Sequence, residues 1–184
     1  AHPMPNSSPP SDSNRPGSLP CPDTDDDGIA EMLSGPNCPS NVGRLPWRTL
    51  ELPDLRDGSG ERLWYALSPS LRDDDSAQPI NSVSVTAGLL SVAGTAPATE
   101  VAAVIIAPGS ALAGQLRNPA NANSPAHYLE GQNADGDNTY ETASSSAGFN
   151  DLVTTISRQQ LFNVVEWRVA NEIPRTLLRY YTTN

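Results

Sequence analysis

The sequence predicts an α+β domain in which an antiparallel β-sheet packs on one long C-terminal helix, with long ordered loops between the elements. Three observations carry that expectation. Glu100 to Ala107 (EVAAVIIA) is β-rich and nearly all apolar, so it reads as a central strand. Ser82 to Val92 (SVSVTAGLLSV) alternates through Val83, Val85 and Ala87, the period of a half-buried strand. From Ser157 onward, Leu161, Val165, Val169, Ile173, Leu177 and Tyr181 recur at every fourth position, with Val164 and Leu178 widening the stripe.

The remaining elements follow in chain order. Residues 1–17 are rich in Pro, Ser and Asn and predict an extended or mobile lead-in, which leaves 18–184 as a single globular domain. Residues 18–62 alternate turn signals with short apolar pieces and predict a long ordered loop region. Glu61 to Leu67 (ERLWYAL) can enter the core as a short helix or strand, and Asp73, Asp74 and Asp75 mark a solvated turn. Ala93–Thr99 is short enough to join the two central strands as a hairpin. Residues 110–117 predict one or two helical turns, Asn118–Gly148 a long loop, and Leu152–Ile156 a last strand. Ser157-x-x-Gln160 is a capping box that starts the helix. Pro174 lacks an amide donor and is expected to kink or briefly interrupt it.

Charge excludes some partners. Twenty-one acidic residues stand against 11 basic ones, all Arg, giving a net charge of −10. A nucleic-acid backbone or an anionic membrane surface is therefore disfavoured as the main partner. No run approaches the roughly 20 apolar residues of a membrane span, and no signal peptide is visible.

The chemistry-bearing motif is Cys21-Pro-Asp-Thr-Asp-Asp-Asp-Gly-Ile-Ala-Glu31. Asp23, Asp25 and Asp27 alternate and close on Gly28, the first half of a calcium loop. In that reading the three Asp give side-chain ligands, Ile29 gives its carbonyl, and Glu31 binds directly or through water at the ninth loop position. The twelfth position is Ser34, not a bidentate Glu, so the site is incomplete and suits extracellular calcium at about 10⁻⁴ to 10⁻³ M. An acidic exposed turn is the alternative. A second, weaker calcium candidate is Asn133, Asp135, Asp137 and Glu141, with Asn138 in the place of the loop glycine.

Cys21 and Cys38 bracket the acidic loop, and two readings compete: a disulfide, or two unrelated free thiols. A disulfide here would stabilise by about 3 kcal/mol in the chain-entropy model and implies periplasm or exterior. Enzymatic patterns are weak. Ser110 (APGSA) lacks a nucleophile elbow, and only His2 and His127 could serve it as base. No P-loop, dinucleotide fingerprint or H-E-x-x-H is present, so no catalytic residue is assigned. Trp47 and Trp64 are expected in the core.

GSLPCPDTDDDG, GRLPWRTLELPDLRDGSGERLWYALS, the strand pair that follows and VAAVIIAPG together resemble bacterial prepilin-type proteins of the type IV pilin and type II secretion pseudopilin superfamily. The resemblance covers roughly residues 17–180. It implies a globular head displayed by an envelope filament, with other pilin or pseudopilin subunits as partners and structural calcium in a loop. It also implies a membrane link only through an N-terminal hydrophobic helix, and neither that helix nor its cleavage motif is among these residues. LLRYYTTN looks like the end of a pilin's first helix, which leads to the expectation that another module follows Asn184. The expected role is a non-catalytic structural component of a filament or secretion apparatus, periplasmic or extracellular. A secreted calcium-dependent binding module of adhesin type is the alternative, and a hydrolase comes third.

Overall fold

The structure, a computed structural model, describes residues 15–34, 37–73, 80 and 87–183. Six strands form one mixed sheet beside a single C-terminal helix, an α+β fold. They are β1 (Val42–Arg44), β2 (Trp64–Leu67), β3 (Leu90–Gly94), β4 (Ala98–Ala107), β5 (Thr139–Thr142) and β6 (Leu152–Ser157), followed by α1 (Arg158–Thr183). The lead-in expected over residues 1–17 falls mostly outside the described residues, as do Val83, Val85, Asp74 and Asp75.

The apolar run at 100–107 becomes the organising strand. Val104 pairs with Ala66 of β2 and with Thr155 of β6, so those strands occupy opposite edges of β4. Val101 pairs with Leu90 and with Ser157, which puts β3 on the same edge as β2, further along. Buried Ser68 joins the two: its hydroxyl donates to the Val101 carbonyl at 2.5 Å and accepts the Leu90 amide at 3.0 Å. Glu100 takes a positive φ of 53° where the β3–β4 register shifts. That bulge turns its carboxylate to Arg158, with both oxygens 3.0 Å from the guanidinium nitrogen.

The core has two faces. Tyr65, Leu67, Ala103 and Ile105 pack with Leu45, Leu71, Phe162 and both cysteines on one side of the sheet. Trp64, Ala66, Val104 and Ile106 pack with Val42, Tyr128, Leu129 and Tyr140 on the other. Successive strand residues point to opposite faces, so a strand covered on both sides must be apolar throughout. That is why EVAAVIIA carries almost no polar residue. Trp64 is fully buried as expected, whereas Trp47 is only half-buried.

Several local expectations are corrected. Asp73 is buried rather than solvated, and its carboxylate accepts from the Ser18 hydroxyl. Residues 110–117 form a turn instead of helix: Gly109 and Gly114 both take positive φ, and Arg117 is drawn back onto the Gly109 carbonyl at 2.6 Å. The segment 118–148 is not loop throughout. It holds three short 3-10 turns and β5, and β5 pairs with β3 in parallel, the one parallel strand pair among the described residues of the sheet.

The capping box at the start of α1 is formed. The Ser157 amide donates to Gln160 Oε1 at 2.8 Å, and the Gln160 amide donates to Ser157 Oγ at 3.1 Å. Leu161, Phe162 and Val165 then lie against the body, while Val169, Ile173 and Leu177 of the same stripe are exposed. Geometry explains the change. A 26-residue helix extends about 39 Å, whereas six-residue β6 beneath it covers about 20 Å, so α1 outruns the sheet. Helix continues across Pro174 without interruption.

Candidate metal centre

The acidic loop grows directly from the sheet. Asp23 bridges to Arg44 of β1, each amide donating to the other's carbonyl, and the Asp23 carbonyl lies only 2.4 Å from where a Cβ on Gly43 would sit. Gly43 therefore permits a backbone approach that any side chain would block.

Within the loop the carboxylates divide the work. Asp23 is buried, its Oδ1 accepting the Asp25 and Asp26 amides at 3.1 and 2.7 Å and its Oδ2 the Gly28 amide at 2.6 Å. Burial raises its pKa above the ordinary Asp value, the amide hydrogen bonds oppose this, and the Asp27 charge adds to it. Asp25 Oδ1 accepts from the Asp27 amide and Asp27 Oδ1 from the Ile29 amide, a chain of side-chain-to-backbone turns. Asp26 alone takes a left-handed φ of 66° and faces away, its carboxylate 3.0 Å from Arg62. Arg62 is also held by Asp54, which raises the Arg62 pKa and lowers that of Asp54. The run of three consecutive Asp is thus sorted by the loop into two sets.

The loop is clamped from both ends. A Cys21–Cys38 disulfide closes it, with Cα atoms 5.5 Å apart, and both cysteines are buried. Gly28 takes a φ of 86° under Trp47, whose Nε1 would sit 2.5 Å from an added Cβ. Arg44 lies behind, its guanidinium 4.1 Å from the ring centres of both Trp64 and Tyr128 and donating to the Arg62 and Ala122 carbonyls. Burial lowers its pKa from the ordinary Arg value.

Asp23, Asp25 and Asp27 each offer an oxygen to one point, with these atoms within 4.8 Å of one another, so the group could hold a metal ion. The donor set is all carboxylate oxygen, which suits a hard cation and not one that prefers nitrogen or sulfur. Asp25 and Asp27 are exposed, so the group is open to solvent. Glu31 is not part of it: Glu31 Oε1 accepts from the amide and the hydroxyl of Thr24, at 3.0 and 2.6 Å. Ile29 places its amide on Asp27, and Ser34 pairs its backbone with Asn37.

The second candidate set is divided. Asn133 is buried, its amide group donating to Asp151 and to the Glu141 carbonyl and accepting the Glu141 amide. Asp135 and Asp137 accept amides within their own turn, and Glu141 Oε1 accepts from Gln132. Sequence reasoning missed what Asn133 joins, a buried network in which Glu130 accepts the Asn150 and Asp151 amides while Asp151 accepts the Glu130 amide. No local spacing announces it, because its hydrogen bonds join residues 18 to 21 positions apart. Ser110 shares a hydrogen bond with the Ser59 hydroxyl, and His127 Nδ1 accepts the Leu116 amide.

A disulfide of this kind points to a compartment other than the cytoplasm. Among the described residues no helix is long and apolar enough to cross a membrane. No family model, curated protein or solved structure matches this chain.

Proposed function

We propose that this chain is the head domain of a pilin- or pseudopilin-like envelope protein. It acts by assembly with other such subunits and not by catalysis, in the periplasm or outside the cell, with calcium holding its Asp23 loop. The observation that carries the calcium reading is the convergence of Asp23, Asp25 and Asp27 on one point within a loop closed by Cys21–Cys38. Three carboxylates brought together repel one another, and a divalent cation relieves that repulsion. The motif resemblance supports the filament reading.

Thermal melting with calcium against chelator tests the ion. Calcium is expected to raise the midpoint, since a ligand of the folded state stabilises it by mass action. Asp25→Ala is the informative variant: Asp25 is exposed and holds one amide, so the metal-free midpoint should change little while the calcium shift disappears. Asp23→Ala would unfold the loop by orphaning three amides. An unchanged midpoint in calcium would remove the metal. The filament reading is tested on the full reading frame, where an upstream apolar helix of about 20 residues is expected. A cleavable signal peptide without such a helix would overturn it.

One observation favours a second reading, a secreted calcium-dependent binding module. A cleft of about 310 Å³ opens beside the loop, lined by Thr24, Ser40, Arg44 and Asn123 among others. Calcium-dependent binding to immobilised oligosaccharides, abolished by Asn123→Leu, would support that reading over assembly.

A further inference from the structure

We propose that Asp151 Oδ1 holds a proton that it donates to the Glu130 carboxylate, and that this proton latches the strap of residues 115–134 to the start of β6. The distribution of donors carries the inference. Glu130 Oε1 accepts the Gln115 side-chain amide at 2.6 Å, and Glu130 Oε2 accepts the Asn150 and Asp151 backbone amides at 2.9 and 3.0 Å. Asp151 Oδ2 accepts the Glu130 amide and the Asn133 side chain. N–H donors thus reach every oxygen of the pair except Asp151 Oδ1, which is buried and meets none. The two carboxyl groups nevertheless stand at hydrogen-bonding separation. Two ionised carboxylates have no proton to offer, so one of them must be an acid, and Oδ1 is the oxygen left to carry its hydrogen. Asp151 is 4% exposed and Glu130 8%, so water does not screen the pair.

The charged groups around the pair are held elsewhere. Arg117 donates to Gln115 Oε1 and to the carbonyls of Pro108, Gly109 and Tyr128, with Glu61 3.5 Å from it. Glu141 of β5 turns its Oε1 to the Gln132 amide, and His127 accepts the Leu116 amide. Asp135 and Asp137 accept amides of their own turn. Asn133 is committed to Asp151 and to the Glu141 backbone and is no metal ligand. A proton is therefore the counter-charge that this pair can take.

The strap's route shows what the latch holds. Gln115 and Glu130 close it into a loop, and the carboxyl pair ties that loop to residues 150 and 151. Between them lie Asn123 and Pro125, which line the cleft beside the Asp23 loop, and Ala122, whose carbonyl accepts from Arg44. Burial pushes the Asp151 pKa up to about 7 in the fastened state, whereas an opened strap exposes a carboxyl of the ordinary value, 3.8. The latch is therefore at full strength below about pH 4 and weakens about tenfold per pH unit up to about 7, above which it weakens no further. It requires neither filament nor ion, so failure of the proposed function leaves it standing.

Infrared spectra of the 184-residue chain are expected to show the carbonyl stretch of a buried carboxylic acid that disappears with a midpoint near pH 7. Asp151→Asn keeps an acceptor for Glu130 and Asn133 and puts a permanent N–H where the proton stood, so this band should be absent from it. Hydrogen exchange, corrected for its intrinsic pH dependence, reads the latch itself. Protection of the Glu130, Asn150 and Asp151 amides should fall about tenfold per unit between about pH 5 and about pH 7, and this slope should vanish in Asp151→Asn. At each pH these amides should be at least about tenfold less protected than those of β2–β4, because the strap opens without the sheet. A wild type with no titrating acid band overturns the shared proton, as does a band that survives Asp151→Asn. Protection without a pH slope overturns the latch, and protection equal to that of β2–β4 would mean that the strap opens only when the whole chain unfolds, which overturns it equally.

Discussion

Asp151 is a buried carboxyl group whose environment moves it far from ordinary Asp chemistry. Its Oδ2 accepts the Glu130 amide at 3.0 Å and the Asn133 side chain at 2.9 Å, while its buried Oδ1 finds no hydrogen-bond partner among the described residues. Burial pushes its pKa up to about 7; the two hydrogen bonds oppose this, and the nearby Glu130 carboxylate adds to it. The unfolded carboxyl releases its proton near 3.8, so between about 4 and 7 the unfolded chain binds fewer protons than the folded one. Stability must then fall as pH rises through that window, by up to ~1.4 kcal/mol per pH unit. The raised Asp23 acts in the same direction, and the lowered Asp54 acts below about 4. Urea midpoints at pH 5 and pH 8 check this: the wild type should be more stable at pH 5, and Asp151→Asn should flatten the difference. A midpoint that rises toward pH 8 would contradict the assignment. Nothing in the sequence around Asp151 hinted at this, because the shift comes from burial in the folded chain, with the Glu130 carboxylate, 21 residues away in sequence, adding to it. The Asp23 triad was legible for the opposite reason: alternation within five residues is a local property.

Elements with a strong period could be read from the sequence, and elements defined by a distant partner could not. The runs at 98–107 and 152–157 carry enough β-branched and apolar residues to form strands wherever they land, whereas 64–67, open between helix and strand in the sequence, becomes strand by pairing with β4. Thr139–Thr142 has four residues in an Asn- and Asp-rich setting, and it becomes strand only because β3 supplies a parallel edge. Gly94 makes that edge accessible. Its φ is 94°, and an added Cβ would lie 1.9 Å from the Thr142 carbonyl oxygen, which accepts the Thr95 amide at 2.8 Å. Gly94→Ala should force β5 off β3 and cost more than ~2 kcal/mol. Gly114→Ala is the control: its φ is 95° with nothing within 4 Å, so it should cost only the backbone strain, about 1 kcal/mol. Hydrogen exchange at the Thr95 amide should quicken in Gly94→Ala while the β2–β4 amides stay protected. Equal costs for the two variants would show that conformation, not space, decides at Gly94.

At the scale of the whole molecule, the fold class followed from the apolar run at 100–107 and the helical stripe after Ser157, whereas the alternation through Val83, Val85 and Ala87 did not mark strand at Ala87, where β3 has not yet begun, and the extent of contact between helix and sheet was not legible. Periodicity reports which face of a helix is apolar and says nothing about how far its partner extends; here the sheet ends about two turns into α1. Body and distal helix should therefore be energetically separable. Removing residues 169–184 keeps the capping box, the Arg158–Glu100 ion pair, and Leu161, Phe162 and Val165. In dilute solution the truncated chain is expected to keep its urea midpoint, with ΔG within the 10–15% uncertainty of linear extrapolation. Helical circular dichroism should fall because most of α1 is gone. Phe162→Ala, at a side chain only 3% exposed, should instead cost about 3–5 kcal/mol by emptying the core where α1 meets the sheet. A truncation as damaging as Phe162→Ala would mean that the distal turns support the body through contacts their exposure does not suggest. A neutral truncation would show that the stability of the body ends where α1 leaves the sheet, at Phe162 and Val165.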